Sequence, residues 1–218
     1  MQGSAHLYVM ISETDTGVGR IIRSLSHYRY NHVSITLDPT FQVWYSFARY
    51  FENAPFYSGF LREPVERFLA KGCSVPVRIF RLEISEDRKH DLELLFASAG
   101  DPSTGLHYNY YDAIAAIFRK KIIIPGAYTC LGFACAVLEK GYLTIEALNE
   151  DLREQLYYDG ELSGLVSDSG SRSDPYFAHI SRRCCFWATA RTMALVTWRL
   201  LGHDENDFVQ DWLHSTAH

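Results

Sequence analysis

The chain has 218 residues, 47% of them hydrophobic and 22% charged, with a formal net charge of −5. That composition fits a globular protein with its own core and not a disordered one. The acidic balance argues against a general nucleic-acid binder, and no apolar run approaches the roughly 20 residues that a membrane span needs.

In chain order, His6–Ile11 reads as a strand, followed by a polar turn over 12–16. Val18, Ile21, Ile22 and Leu25 have helical spacing within 18–28. In 33–37, Val33, Ile35 and Leu37 alternate with Ser34 and Thr36, the pattern of a half-buried strand. Asp38-Pro39-Thr40 is a turn. In 41–47, Phe41, Val43, Tyr45 and Phe47 share one face of a second strand. An aromatic loop follows over 49–60, then a strong strand over 75–84. Ser85 is an N-cap for a helix over 87–99. After a loop at 101–105, the apolar run 110–118 reads as a buried helix. Thr129 opens a helix over 129–140 that Gly141 ends, and Thr144 caps another reaching about 157. A Gly-, Ser- and Asp-rich loop spans 159–174. A long helix over 182–201 and a short one over 207–214 close the chain. Strands and helices mix without regular βαβ alternation, so the expected class is α+β in one domain. Its core occupies 6–140, and 141–218 is a helical C-terminal extension.

Five cysteines, odd in number and irregularly spaced, do not form a secreted disulfide framework. No Cys-x-x-Cys or His-Glu-x-x-His stands in the chain, so neither a metal nor another cofactor is expected. Met1–His6 has no basic stretch before an apolar one. No signal peptide is therefore expected, and the expected location is cytoplasmic. Arg119-Lys120-Lys121 reads as a solvated helix end.

Two segments carry chemistry. His32 stands at the mouth of a strand in Tyr30-Asn31-His32-Val33-Ser34-Ile35. Cys130 stands in the first turn of an apolar helix in Tyr128-Thr129-Cys130-Leu131-Gly132-Phe133. A helix N-terminus favours a thiolate, and its free N–H groups can donate to an oxyanion. A histidine is the usual base for a thiol. If Asp38-Pro39-Thr40 is a three-residue loop, Leu37 faces Phe41 and His32 faces Ser46. Ser46 would then bond one ring nitrogen and fix the tautomer. Tyr45, Tyr108, Tyr111 and Tyr128 are candidates for a substrate cleft. Cys135 reads as core packing, Cys73 sits in a Lys-Gly-Cys turn without a partner, and Cys184 and Cys185 point apart on one helix.

Together, Thr14-x-Thr16, Tyr30-Asn31-His32-Val33-Ser34-Ile35-x-Leu37-Asp38, Tyr45-Ser46-Phe47-Ala48-Arg49 and Tyr128-x-Cys130-x-x-Phe133 resemble the circularly permuted NlpC/P60 superfamily. The resemblance is to its YiiX-like branch, whose relatives include the lecithin:retinol acyltransferase type. There the histidine strand precedes the cysteine helix, as here. The resemblance covers roughly 6–140. It implies a papain-like core, a small antiparallel sheet with the cysteine helix packed across it. It implies Cys130 as nucleophile, His32 as base and Ser46 at the third polar position, where many members carry a charged or amide residue. The implied reaction is hydrolysis or acyl transfer at an amide or ester bond of a peptide, cell-wall fragment or lipid. Two other readings stand beside it. One is a non-catalytic binding or regulatory protein on the same fold, with Tyr50, Phe51, Phe56, Tyr57 and Phe60 as a partner surface. The other is a dinucleotide site, from Gly17-Val18-Gly19 after a strand and Asp38 about 20 positions on, although Ile22 stands where a third glycine belongs.

Overall fold

Apolar residues on both faces of 4–12 dictate a central strand. Leu7, Val9 and Ile11 point one way, Tyr8 and Met10 the other, and all are buried. The computed structural model describes residues 4–14, 24, 28–69, 75–166, 173–204 and 206–215. Its strands are β1 (Ser4–Ser12), β2 (His32–Thr36), β3 (Val43–Arg49), β4 (Ser58–Pro64), β5 (Pro76–Ser85), β6 (His107–Tyr108), β7 (Ala127–Tyr128) and β8 (Leu156–Glu161). Six of them form an antiparallel sheet in the order β4-β3-β2-β1-β5-β8, so β1 lies inside it with both edges paired. Seven α-helices stand among the described residues: α1 (Glu66–Leu69), α2 (Glu86–Ala99), α3 (Tyr110–Ala115), α4 (Cys130–Val137), α5 (Ile145–Asp151), α6 (Arg182–Leu200) and α7 (Phe208–Ser215). The class is α+β with an antiparallel sheet.

The two sheet faces have separate cores. On one, Val9, Val33, Ile35, Phe47 and Phe60 meet Leu92, Leu95 and Phe96 of α2 and Phe133, Ala134 and Val137 of α4. On the other, Met10, Trp44, Val77 and Ile79 meet Val65, Leu69 and Leu162. Phe133 anchors α4, its ring centroid 5.3 Å from that of Phe60 and 5.5 Å from that of Phe47. Truncating a buried phenylalanine removes its transfer energy and leaves a cavity. Phe133→Ala is therefore expected to cost about 3–5 kcal/mol in urea unfolding, and α4 is the element it loosens.

Several expectations change. Apart from Ser24, which is helical, and Tyr28, which is not, the reading of 18–28 as a helix lies outside the described residues, as do Cys73 and Gly17-Val18-Gly19. The β2–β3 connection runs over 37–42, because Asp38 accepts from the backbone of both Thr40 and Gln42 and Phe41 takes φ 58°. Phe41 thereby leaves the strand and joins the second core. Ile35 pairs with Tyr45, two positions from the three-residue-loop register. Asp38 thus closes a turn between antiparallel strands, which removes the βαβ crossover a dinucleotide site requires. Residues 110–118 are helical but only partly buried, with Asp112 and Ala115 covered and Ile114 and Phe118 exposed. The helix after Thr129 ends at Val137, with Glu139 in the left-handed region at φ 55° in place of a stop at Gly141. The segment after α5 turns into β8, which pairs with β5. The region 141–218 is therefore not a purely helical extension, and part of it completes the sheet.

Candidate active site

Thr129 has extended backbone, and its hydroxyl accepts from the Gly132 N–H at 3.0 Å, which starts α4 at Cys130. The same hydroxyl donates to Asp112 Oδ2 at 3.1 Å. Asp112 is fixed in turn by the Asn109 side chain, which accepts from its N–H, and by the Ile122 N–H, which donates to Oδ1. Gly132 leaves room here, for a Cβ would stand 3.2 Å from Thr129 Oγ1, a tight contact. The cap and the aromatic anchor at Phe133 together hold the Cys130 thiol, which is half-buried.

His32 is the first residue of β2, and its ring stands close enough to the Cys130 thiol that each favours the other's charged form. Nε2 lies 3.1 Å from Glu63 Oε2 and 3.3 Å from Ser46 Oγ. Nε2 is thus occupied, which leaves Nδ1 for the thiol. Glu63 Oε2 also accepts from Ser34 at 3.2 Å and, over a short contact, from Ser46. The relay runs across three neighbouring strands: His32 on β2, Ser46 on β3 and Glu63 on β4. Glu63 faces Trp44 across β3–β4, which puts it on the same face as Ser46. Ser46 therefore touches His32 as expected, although not as its direct cross-strand partner. A register shift of two keeps side chains on their face, so the contact survives the altered loop.

Burial works against charge on all three groups, and their mutual attraction overrides it. The His32 pKa is held up at about 10 despite desolvation, by the Glu63 carboxylate and the Cys130 sulfur. Glu63 is pushed below the usual carboxylate range against its own desolvation, by His32 and the Ser46 hydrogen bond. Burial opposes the Cys130 thiolate too, yet the thiol is lowered by His32 and by the backbone N–H groups of Val33 and Leu131. The arrangement favours a thiolate–imidazolium pair backed by a buried carboxylate. Cys135, by contrast, is raised by burial, and its sulfur faces the Tyr142 carbonyl.

A cavity of about 240 Å³ opens beside Cys130. Tyr28, Tyr30, Tyr108, Ala113, Ala116, Ile117 and Leu131 line it, with Arg119, Lys120 and Lys121 also in its wall. Of the four tyrosines expected in a cleft, Tyr108 is there. Burial raises its phenol pKa first, and the neighbouring Cys130 adds to it, so the hydroxyl stays a donor. Tyr45, Tyr111 and Tyr128 are elsewhere. Tyr45 stacks on Phe96 at 4.6 Å, Tyr111 bonds Thr197 at 2.7 Å, and Tyr128 donates to Asp207 at 2.6 Å. Tyr28, Tyr30 and Tyr142 take their place around the cavity.

Glu63 is the residue that sequence reasoning missed. Its one signal is indirect: Ser34 and Ser46 put two hydroxyls on the histidine's side of the sheet, and buried hydroxyls need an acceptor. Compared with known proteins, the chain matches no family model, no curated protein and no solved structure.

Proposed function

We propose that this chain is a cysteine hydrolase or acyltransferase that cleaves an amide or ester bond, with Cys130 as nucleophile and His32 as general acid and base. The observation that carries this reading is the half-buried thiol set beside a histidine that a buried carboxylate holds at 3.1 Å. The order of histidine strand and cysteine helix is that of the permuted papain-like core of the NlpC/P60 resemblance. In this reading Glu63, which contacts the His32 ring directly with Ser46 beside it, takes the third polar position as a positioning residue.

The Cys130 thiolate attacks the substrate carbonyl carbon, and the C–S bond forms as the carbonyl π pair moves onto oxygen. Free N–H groups of the first α4 turn and the Tyr108 hydroxyl supply donors for that oxygen. The His32 imidazolium gives its proton to the leaving amine or alcohol as the tetrahedral intermediate collapses to an acyl-thioester. Neutral His32 then takes a proton from the incoming water or alcohol, whose oxygen displaces the thiolate. Glu63 keeps the ring oriented throughout and stabilises the imidazolium. The substrate presents an apolar acyl or aromatic group, because apolar and aromatic side chains line most of the cavity.

The reading is tested by incubating the protein with activated acyl esters and following intact mass. An acyl adduct that maps to Cys130 and decays with time is expected. No adduct, or one spread over Cys184 and Cys185, would leave a non-catalytic binding protein as the better account. Tyr108→Phe is expected to lower turnover about 10- to 100-fold with KM little changed, in keeping with loss of one oxyanion donor. An unchanged kcat would remove Tyr108 from the chemistry.

A further inference from the structure

The helix α6 has 19 residues, and only Val196 of them is buried. Its seat is narrow: Val196 packs with Ile124 and Ala127, and Thr197 bonds Tyr111. Helical spacing places Trp187, Ala190, Ala194 and Trp198 on the opposite side and Phe186 on the flank, its ring 5.5 Å from that of Trp187, with Leu201 just beyond the C-terminus. Phe186, Trp187 and Trp198 are 65%, 70% and 55% exposed, and Leu201 is 67% exposed. An aromatic stripe of this kind on a surface marks a contact site.

Charge identifies the occupant. The protein as a whole is acidic, yet α6 carries Arg182, Arg183, Arg191 and Arg199 and no Asp or Glu. Arg199 is used structurally, bonded to Asp204 and to the carbonyls of Gly105 and Pro125. Arg182, Arg183 and Arg191 make no ion pair among the described residues. A second copy would bring the same cationic helix against itself, with no acidic side chain on it to meet the arginines. A bilayer surface offers headgroup phosphates to the arginines and an acyl boundary to the Phe and Trp rings. No helix among the described residues is long and apolar enough to cross a membrane, so the geometry is that of a helix lying on the surface.

We propose that α6 docks flat on an anionic lipid bilayer, through its Phe186–Trp187–Trp198 stripe and the arginines Arg182, Arg183 and Arg191. The segment on which α6 sits, 110–124, also bears exposed Ile114, Phe118 and Ile123, beside Arg119, Lys120 and Lys121. That segment forms one wall of the cavity at Cys130. Docking there sets the cavity close to the lipid surface. The proposal stands whether or not Cys130 is catalytic.

The test is co-sedimentation of the whole protein with vesicles of phosphatidylcholine alone and of phosphatidylcholine with phosphatidylglycerol, read together with tryptophan emission. Trp44 is fully buried, so a blue shift on binding reports chiefly the exposed rings. Binding to the phosphatidylglycerol vesicles, a blue shift and reversal by 0.5 M salt (roughly, as the charge term is screened) are expected. The triple variant R182Q/R183Q/R191Q should bind roughly 100-fold more weakly. W187A/W198A should lose most of the binding at any salt, and circular dichroism confirms that each exposed-site variant is folded. Absence of binding to anionic vesicles would overturn the proposal. So would a lipid-free dimer seen by light scattering that W187A/W198A dissolves.

Discussion

Cys130→Ala abolishes covalent labelling by alkylating and acyl probes near neutral pH, whereas Cys135→Ala leaves it intact. The contrast follows from two thiols on one helix in opposite surroundings. Cys130 sits in the first turn beside His32, with its pKa lowered. Cys135 is buried, and burial raises its pKa above that of an ordinary thiol. His32→Ala should slow Cys130 labelling roughly tenfold at pH 7, because a free thiol is only a few per cent ionised there. At pH 9–10 (about the range in which a thiol ionises unaided) the difference should close. For acyl turnover the same variant loses more, on the order of 10²–10⁴-fold, since general acid–base help disappears with the ring. Mass spectrometry of the labelled peptide separates the two cysteines directly. Labelling that survives Cys130→Ala at the original rate would end the enzyme reading.

Glu63→Gln lowers turnover by about 10²-fold or more while leaving the fold in place. Glu63 is nearly inaccessible, and its Oε2 accepts from His32, Ser34 and Ser46. The glutamine keeps the shape and removes the charge that holds His32 protonated. A loss of packing alone would not alter a titration, so the pH profile separates the two roles. His32 has a raised pKa, so its imidazolium is present below about 10 and is lost as pH rises through that value. Without Glu63 the attraction weakens, desolvation gains, and the alkaline limb moves to lower pH. Glu63→Asp, which keeps the charge on a shorter arm, should retain the alkaline limb better than the amide. A limb that stays in place in Glu63→Gln would reduce Glu63 to a packing residue.

What local sequence signals could show, they showed. Thr129 before an apolar run located the α4 N-terminus, because a side-chain cap needs only its own next three residues. Alternation in 33–37 located β2 and placed His32 at its mouth. Ser46 was legible as a neighbour of His32, since the face of a strand survives any even shift in register. Glu63 was not, for it lies two strands away and the burial of β4 lacks a period of two. Its strand also ends in Pro64, which reads as a turn. The strand β8 was hidden for a related reason: Leu156, Tyr157 and Asp159 are exposed, so no buried alternation announces it. Phe41 looked like a strand residue because apolarity alone does not report a positive φ. The exposure of Ile114 and Phe118 makes the same point for helices, where an apolar run predicts a contact without saying whether the partner is the core.

The central claim is that Cys130 is held as a thiolate by His32 and Glu63, and the most direct measurement is the rate of Cys130 alkylation against pH in the unaltered protein. A neutral iodoacetamide-type probe reads the thiolate fraction without requiring the substrate. A lowered thiol pKa puts the thiolate in place at lower pH than in an unassisted thiol, so the rate should reach its plateau at lower pH and fall only below it. In Cys130–His32 pairs the titration belongs to the pair, so the acid limb reports breaking of the ion pair as a whole. A rate that instead climbs about tenfold per pH unit up to roughly 8.5, as an unassisted thiol does, would contradict the account.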